Sequence, residues 1–354
     1  MPTRKTASAD IRRYLWVPLL LALTTSGCST YYGQLAAGHL RLLTAREPVA
    51  EIIADPARDP RLRARLATAL DARRFASARL GLPDNDSYRL YADLDRPYVV
   101  WNLFATPAFS VEPIEHCFPV AGCVAYRGYF DQGRARAQAA RLALRGLDTD
   151  VAGVEAYSTL GWFDDPLLSS MLRRDDQALA ALIFHELAHQ RVYVEGDTAF
   201  NESYASFVAR EGLGQWRVAR GLPAPGPAVE ARRRQWVALV LATRERLRAL
   251  YAQAIPDAVK RARKEAEFLR LRSDYAALRD GPWQGDRRFD GWFEQPLNNA
   301  VLVPFGLYDQ WVDAFAGLFA EVGGDWPRFH RRVADLAALP ADERTARLRS
   351  LDIR

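Results

Sequence analysis

One short segment of this 354-residue chain has the residue types and the spacing of a metal site. It contains His185, Glu186 and His189 in the pattern H-E-x-x-H, preceded by the apolar residues Leu182 and Ile183. Residues four apart on a helix lie on one face, so both imidazoles can reach one ion. Glu186 is rotated by about 100° from His185 and can lie beside the ion without binding it. The segment therefore predicts a buried helix that binds one zinc ion per chain.

The same three residues indicate the chemistry. A catalytic zinc site has three protein ligands and keeps one position for water. Glu186 can accept a proton when that water attacks a carbonyl and return it to the leaving amine. We therefore expect hydrolysis of peptide bonds, with Glu186 as the general base.

A third ligand is expected from the next helix along the chain. Glu202 shares a face with Ala205 and Ala209, and small residues on that face allow close packing against the first helix. The alternatives are Glu195, in the connecting turn, and Glu211, near the end of the second helix. The expected ligands are thus His185, His189 and Glu202.

These segments carry a resemblance to known metallopeptidases. His185-Glu-Leu-Ala-His189 followed by Asn201-Glu202-Ser-Tyr-Ala resembles the gluzincins, and more closely a family of bacterial lipoproteins described as predicted aminopeptidases. Further stretches are similar to that family: Cys117–Cys123 with Tyr126–Phe130, Ser158–Pro166, and Asn298–Ala300 with Tyr308. The resemblance implies an aminopeptidase. The Gly-Ala-Met-Glu-Asn motif with which the best-known zinc aminopeptidases hold a substrate amine is absent, so exopeptidase specificity comes from the resemblance alone.

Two supporting roles remain for other residues. The oxyanion of the tetrahedral intermediate needs a hydrogen-bond donor, for which Tyr308, Tyr126 and His330 are candidates, and the resemblance favours Tyr308. Asp164 or Asp165, at the end of a strand-like segment that could pair with an extended peptide, could neutralise the free amine of a substrate. The alternative is that these aspartates only punctuate a turn before the zinc helix.

The N-terminus predicts where the protein goes. Basic residues precede a short apolar run and then Leu23-Thr-Thr-Ser-Gly-Cys28, a pattern too short for a membrane-spanning helix. The Cys after Ser-Gly resembles the lipobox of bacterial lipoproteins, which implies cleavage after residue 27 and a lipid on Cys28. Ser29 is typical of lipoproteins sent to the outer membrane. We expect a lipid-anchored, periplasm-facing protein; the alternative is an ordinary cleaved signal.

The two remaining cysteines agree with that compartment. Cys117 and Cys123 flank a short loop containing Pro119 and Gly122, and an oxidising periplasm favours a disulfide between them. A metal site formed with His116 is the alternative, although two thiols and one imidazole leave it one ligand short.

Composition excludes a nucleic-acid partner. The chain has 48 Lys+Arg against 43 Asp+Glu, a formal charge of +5, with the two signs interspersed along presumed helices. No basic run is interleaved with aromatic residues, as a single-strand binder would require. The expected partners are a peptide substrate and, through the lipid, a membrane. No feature of the sequence indicates an oligomeric state.

The pattern along the chain predicts an α+β fold, with a small sheet packed on the zinc helix and a largely helical C-terminal part. We divide it into a signal peptide (1–27), an α+β part with the zinc site (28–220) and a helical part packed on the same catalytic unit (221–354). Helices are predicted over 29–80, 132–146, 175–191, 198–211, 236–251, 258–278 and 297–320, and strands over 98–104, 109–112, 124–130 and 154–163.

Two functions fit these features. The first is a zinc peptidase acting on short peptides or loose protein segments. The second is an envelope lipoprotein with a structural metal site that acts as a chaperone or assembly factor. A structural zinc site has four protein ligands and does not need Glu186, so the sequence favours the enzyme.

Overall fold

The computed structural model describes residues 31–118, 122–223 and 226–351. The N-terminal half contains α1 (31–44), β1 (Glu47–Pro48), α2 (Val49–Ala54), α3 (Pro60–Leu80), β2 (Leu90–Ala92), β3 (Val100–Pro107), β4 (His116–Phe118), β5 (Gly122–Val124), β6 (Arg127–Tyr129), α4 (Gln132–Ala143), β7 (Leu147–Val154) and β8 (Leu167–Leu168). The rest contains α5 (Asp176–Arg191), α6 (Thr198–Ala219), α7 (Pro227–Tyr251), α8 (Asp257–Asp280), α9 (Asp290–Glu294), α10 (Val303–Tyr308), α11 (Val312–Glu321), α12 (Trp326–Ala337) and α13 (Ala341–Leu351). Short 3-10 turns cover Met171–Arg173 and Ala300–Leu302. The predicted α+β class is confirmed.

Three small sheets lie among the helices of the described residues. The largest has the order β6-β3-β7, and both neighbours run antiparallel to β3. Trp101 of β3 lies opposite Tyr129 on one side and Gly153 on the other, which leaves β7 at an edge. A second sheet has the order β1-β2-β8, and β4 and β5 form a hairpin.

Helices α5 and α6 carry the H-E-x-x-H motif and Glu202. Asp175 begins α5 by accepting a hydrogen bond from the Ala178 amide, and Asp197 begins α6 by accepting one from the Phe200 amide at 3.0 Å. These side chains satisfy amides that have no partner within the first turn. The predicted α5 is confirmed almost to the residue, whereas α6 runs eight residues beyond the predicted end at 211, to Ala219.

Close packing brings α3, α5 and α6 together. Gly212 lies where a Cβ would approach the Leu80 side chain to 2.5 Å and the Phe184 ring to 3.1 Å, so a larger residue would force these buried side chains to shift. The main hydrophobic core extends from these helices to α11, α12 and α13, with Phe315 and Phe329 fully buried in it. A separate cluster joins α7, α8 and α9. The proposed boundary near residue 220 stays a prediction.

Two predicted strands are wrong. Residues 155–166 form a loop after β7, because Leu160 and Gly161 turn the backbone to positive φ and the buried Asp165 carboxylate accepts hydrogen bonds from the amide and hydroxyl of Thr159. Residues 109–112 form a turn in which the Ser110 hydroxyl accepts a hydrogen bond from the Glu112 amide. Both segments are rich in aromatic and β-branched residues, and that composition is typical of strands but does not exclude a loop.

The helix predicted over 297–320 is also wrong as one element. It is divided into a 3-10 turn, α10 and α11, with a break between Tyr308 and Val312. Within the described residues, no helix combines the length and the apolar content that a membrane crossing requires.

Candidate metal centre

Three ligand atoms converge where α5 meets α6. The Nε2 atoms of His185 and His189 lie 3.1 Å apart. The Glu202 Oε2 atom lies 3.2 Å from the first and 3.6 Å from the second. His189 and Glu202 are buried, and His185 is partly exposed. The sequence placed these three residues on two helices, and the structure brings them to one point.

The spacing of these atoms fits a zinc ion. In a tetrahedral site with ligands at about 2.0–2.1 Å, any two ligand atoms are about 3.3 Å apart. The three measured separations bracket that value. Two imidazole nitrogens and one carboxylate oxygen are also a common donor set for catalytic zinc. The residues present therefore fit a zinc ion by both donor type and geometry.

The charges of the site favour a cation. Burial alone would raise the pKa of Glu202, but His189 and hydrogen bonds with both histidines lower it to about 2. Burial acts to lower the pKa of His189, and the Glu202 carboxylate reverses this and raises it. The carboxylate is thus ionised throughout the neutral range and supplies the negative charge that a bound cation needs.

Glu186 lies beside this triad and is not part of it. Burial raises its pKa, and the positive charge of His185 and His189 opposes that rise. Its side chain is partly exposed and lines the adjoining cleft, as does that of His185. A carboxyl with a raised pKa, next to a metal site and open to a cleft, has the properties of a general base.

Tyr308, at the end of α10, lies next to His185. The two rings are stacked with centroids 6.1 Å apart. Burial and then the charge of Glu202 hold the pKa of Tyr308 well above its usual value, so its hydroxyl stays protonated and can donate. Burial and Glu202 raise the pKa of Tyr126 as well. His330 is no oxyanion donor, because its ring nitrogens contact the Tyr204 hydroxyl at 2.9 Å and the Leu80 carbonyl at 2.8 Å.

A cleft of about 870 Å³ opens from His185, Glu186 and Tyr308. Its floor is the face of α5 and α6 that carries Ala178, Ala181, Leu182, Ala209 and Leu213. Residues 152–154 of the edge strand β7 form one wall, and α7 with α10 forms the other. Five of the charged side chains that line it form ion pairs: Glu155 with Arg174, and Asp309 with Arg210 and Arg233. A cleft of this size can accommodate several residues of a peptide.

Comparison with protein families gives a match over residues 30–348, to a family described as "Putative aminopeptidase". The chain belongs to this aminopeptidase family. No curated protein matches the chain, and no solved structure does. The family membership indicates a peptidase.

In this aminopeptidase-family protein, the two other candidate ligands lie away from the triad. Glu211 accepts a hydrogen bond from the Gln215 side chain on α6, and Glu195 packs against Gly122 of the β4–β5 hairpin. That hairpin carries a disulfide between Cys117 and Cys123, which pair opposite each other.

The predicted amine-binding aspartates do not line the cleft. Asp164 is exposed, and its carbonyl accepts a hydrogen bond from Arg46. Asp165 is buried, and its carboxylate accepts hydrogen bonds from Thr159 within its own loop. Their role in substrate binding stays a prediction. Cys28 lies outside the described residues, so its lipidation stays a prediction as well.

Several residues that hold the site in place have roles that the sequence did not reveal. The Asn201 amide group both donates to the Val194 carbonyl and accepts from the Val194 amide, each at 2.8 Å, which fixes the turn between α5 and α6. Arg344 of α13 pairs with the capping Asp197 at 2.8 Å. Asn201, the residue before Glu202, thus ties the start of the ligand helix to the preceding turn.

Proposed function

We propose that this protein is a zinc-dependent peptidase of the gluzincin type, with aminopeptidase activity. The observation that carries the proposal is the convergence of His185, His189 and Glu202 with separations of 3.1, 3.2 and 3.6 Å, beside Glu186 and a cleft. Family membership supports the peptidase part of the proposal. Donor type and spacing support zinc.

His185, His189 and Glu202 would hold the ion. When bound, zinc supplies positive charge that polarises a carbonyl and acidifies water. Glu186 accepts a proton from the attacking water and then protonates the leaving amine. Tyr308 donates a hydrogen bond to the oxyanion that forms on the scissile carbonyl. The apolar floor of the cleft excludes water from the substrate around the scissile bond.

The cleft also indicates how a peptide would bind. Strand β7 is an edge strand, and its residues 152–154 face the cleft. An extended peptide can add to such an edge by main-chain hydrogen bonds. In this proposal β7 takes the peptide-pairing role that the sequence analysis gave to the strand-like segment before Asp164 and Asp165.

The rival function, a structural metal site in a chaperone or assembly factor, is less well supported. A closed structural site has four protein ligands, and the described residues offer three at this point. A structural site also gives no reason for a carboxyl such as Glu186 at the mouth of a cleft.

The location of the protein is part of the proposal. We infer a lipid anchor on Cys28 and a periplasm-facing position at the outer membrane. The disulfide between Cys117 and Cys123 supports an oxidising compartment. The lipobox-like Leu23–Cys28 segment supports the anchor.

The test uses the chain from residue 29, loaded with zinc, and a library of short peptides with free or acetylated N-termini. Mass spectrometry of the products should find cleavage only with zinc, lost on chelation and restored by zinc. Cleavage restricted to free N-termini supports an aminopeptidase. Equal cleavage of blocked peptides removes that specificity and leaves a zinc peptidase. If the zinc-loaded chain cuts nothing across the library, the structural rival replaces the proposal.

A further inference from the structure

Helix α1 exposes apolar side chains on the side that faces away from the core. Leu42 is buried against the main core, whereas Tyr32 and Leu40 are 47% and 59% exposed. They are eight residues apart with the exposed Ala36 between them, so they lie on one side of the helix. A surface helix normally presents polar residues there. Tyr32, Ala36 and Leu40 form an apolar strip, and contiguous exposed apolar surface is typical of an interaction site.

The loop after β7 extends this apolar side. Phe163 is 51% exposed, and its ring lies 4.9 Å from that of His39 on α1. Its neighbour Trp162 is 72% exposed. The loop is held in shape by the hydrogen bonds of Asp165. It is tied to the segment just after α1, where Arg46 donates to the Asp164 carbonyl at 3.1 Å. The two aromatic side chains are therefore presented to solvent by a braced loop.

The neighbouring flank of α1 is basic. A pocket of about 400 Å³ between α1 and the start of α4 is lined by Arg41, Arg96 and Arg134, against the single acidic residue Asp131. Exposed aromatic and aliphatic side chains next to arginines are the combination that binds the interface of an anionic bilayer.

Chain length gives an independent constraint. Cys28 precedes Tyr31 by three residues, and three extended residues span at most about 11 Å. A lipid on Cys28 would therefore hold the start of α1 within that distance of the bilayer surface. Helix α1 covers residues 31–44 and is about 21 Å long. Its exposed apolar side chains are distributed along that length, as expected for a helix that lies along the surface.

We propose that Tyr32, Leu40, Trp162 and Phe163 form a docking surface for an anionic lipid bilayer. The lipid-anchored protein then lies with α1 along the membrane and with the two loop aromatics in the interfacial layer. The inference rests on the anchor proposed for Cys28 and goes beyond the proposed peptidase. This orientation also places the metal centre near the membrane, because Gly161 of the same loop packs on Gln190, the neighbour of His189.

The first test uses the full lipidated chain in vesicles of phosphatidylglycerol and phosphatidylcholine with brominated acyl chains. Trp162 should contribute quenched fluorescence, so Trp162→Phe should lower the quenched fraction. The matched control is Leu269→Ser, which replaces a leucine on α8 that is 66% exposed, and it should leave the fraction unchanged. An equal quenched fraction in wild type and Trp162→Phe overturns the proposal.

The second test separates the docking surface from the anchor. The chain from residue 29 has no lipid, and we expect it to bind phosphatidylglycerol vesicles better than phosphatidylcholine vesicles. Trp162→Ser and Leu40→Ser should each weaken this binding about tenfold, because each removes a large apolar group from the interface. If Trp162→Ser and Leu40→Ser bind these vesicles as well as Leu269→Ser does, the docking surface is refuted. That outcome would leave the separate proposal of a lipid on Cys28 untouched. Self-association that Trp162→Ser abolishes, without vesicle binding, assigns the surface to a second copy and overturns it too.

Discussion

The Ser203 hydroxyl donates a hydrogen bond to the Leu307 carbonyl at 3.1 Å. The same oxygen accepts one from the Trp311 amide at 3.1 Å. Ser203 follows Glu202, and Leu307 precedes Tyr308, so one side chain joins the ligand helix to the segment that carries the proposed oxyanion donor. This link lies where α10 ends, and it explains why the helix predicted over 297–320 is interrupted there.

Ser203→Ala tests that link. The substitution leaves the buried Trp311 amide without its acceptor, and an unsatisfied buried group costs about 1–3 kcal/mol in the free energy of unfolding. Because Tyr308 would be less well positioned, kcat should fall while zinc content stays at about one per chain. Denaturant unfolding, metal analysis and peptide hydrolysis measure the three quantities. Unchanged kcat with lowered stability would restrict Ser203 to a structural role.

The metal ligands give the simplest prediction. His185→Ala, His189→Ala and Glu202→Ala should each abolish stoichiometric zinc binding, because each removes one of three converging ligand atoms. Metal analysis after dialysis measures this. Glu195→Ala and Glu211→Ala are the matched controls and should retain zinc. Full zinc retention in Glu202→Ala would refute the third-ligand assignment.

The site could be predicted from the sequence to the extent that it is local. His185, Glu186 and His189 are set by the period of one helix, and Glu202 could be inferred because the next helix had to pack closely against the first. Asn201 and Ser203 belong to the segment that carries the family resemblance, but their positioning roles could not be predicted from it. The groups they hold, at Val194 and next to Tyr308, come into contact with them only in the folded chain.

The same division applies to the fold. Long periodic helices such as α5 and α8 were predicted closely, because an apolar stripe must face the core. The segment 154–163 has strand-like composition, yet the hydrogen bond from Thr159 to Asp165 and the positive φ of Leu160 close it into a loop. Composition indicates which residues suit a strand. It cannot indicate the hydrogen bonds that compete with a strand, because these form only in the folded chain.

Asp165 gives a prediction for pH. Burial raises its pKa from 3.8 to about 6, although the hydrogen bonds from Thr159 oppose this. The folded state thus holds this proton more tightly than the unfolded state does. The contribution of Asp165 to stability is therefore greatest below about pH 4 and falls as the pH rises towards about 6, by at most about 3 kcal/mol.

The Asp165→Asn variant tests this, because the amide does not ionise. The decrease in the free energy of unfolding between about pH 4 and pH 6 should be smaller in Asp165→Asn than in the wild type. The exposed neighbour provides the control, and Asp164→Asn should keep the wild-type slope. Denaturant unfolding at several pH values gives both slopes. Identical slopes in all three proteins would mean that Asp165 does not titrate in this range.

The last prediction concerns Glu186 and Tyr308, which differ from the ligands in that neither belongs to the triad. Glu186→Gln preserves the shape of the side chain and removes the base, so zinc content and folding should be retained while kcat falls about 10²–10⁴-fold with KM nearly unchanged. Tyr308→Phe removes one oxyanion donor, so kcat should fall about 10²–10³-fold, again with zinc retained. Steady-state kinetics on a peptide with a free N-terminus, with metal analysis of the same samples, separates these effects from loss of the ion. A Glu186→Gln variant that keeps both zinc and full activity would assign the proton transfer to another residue.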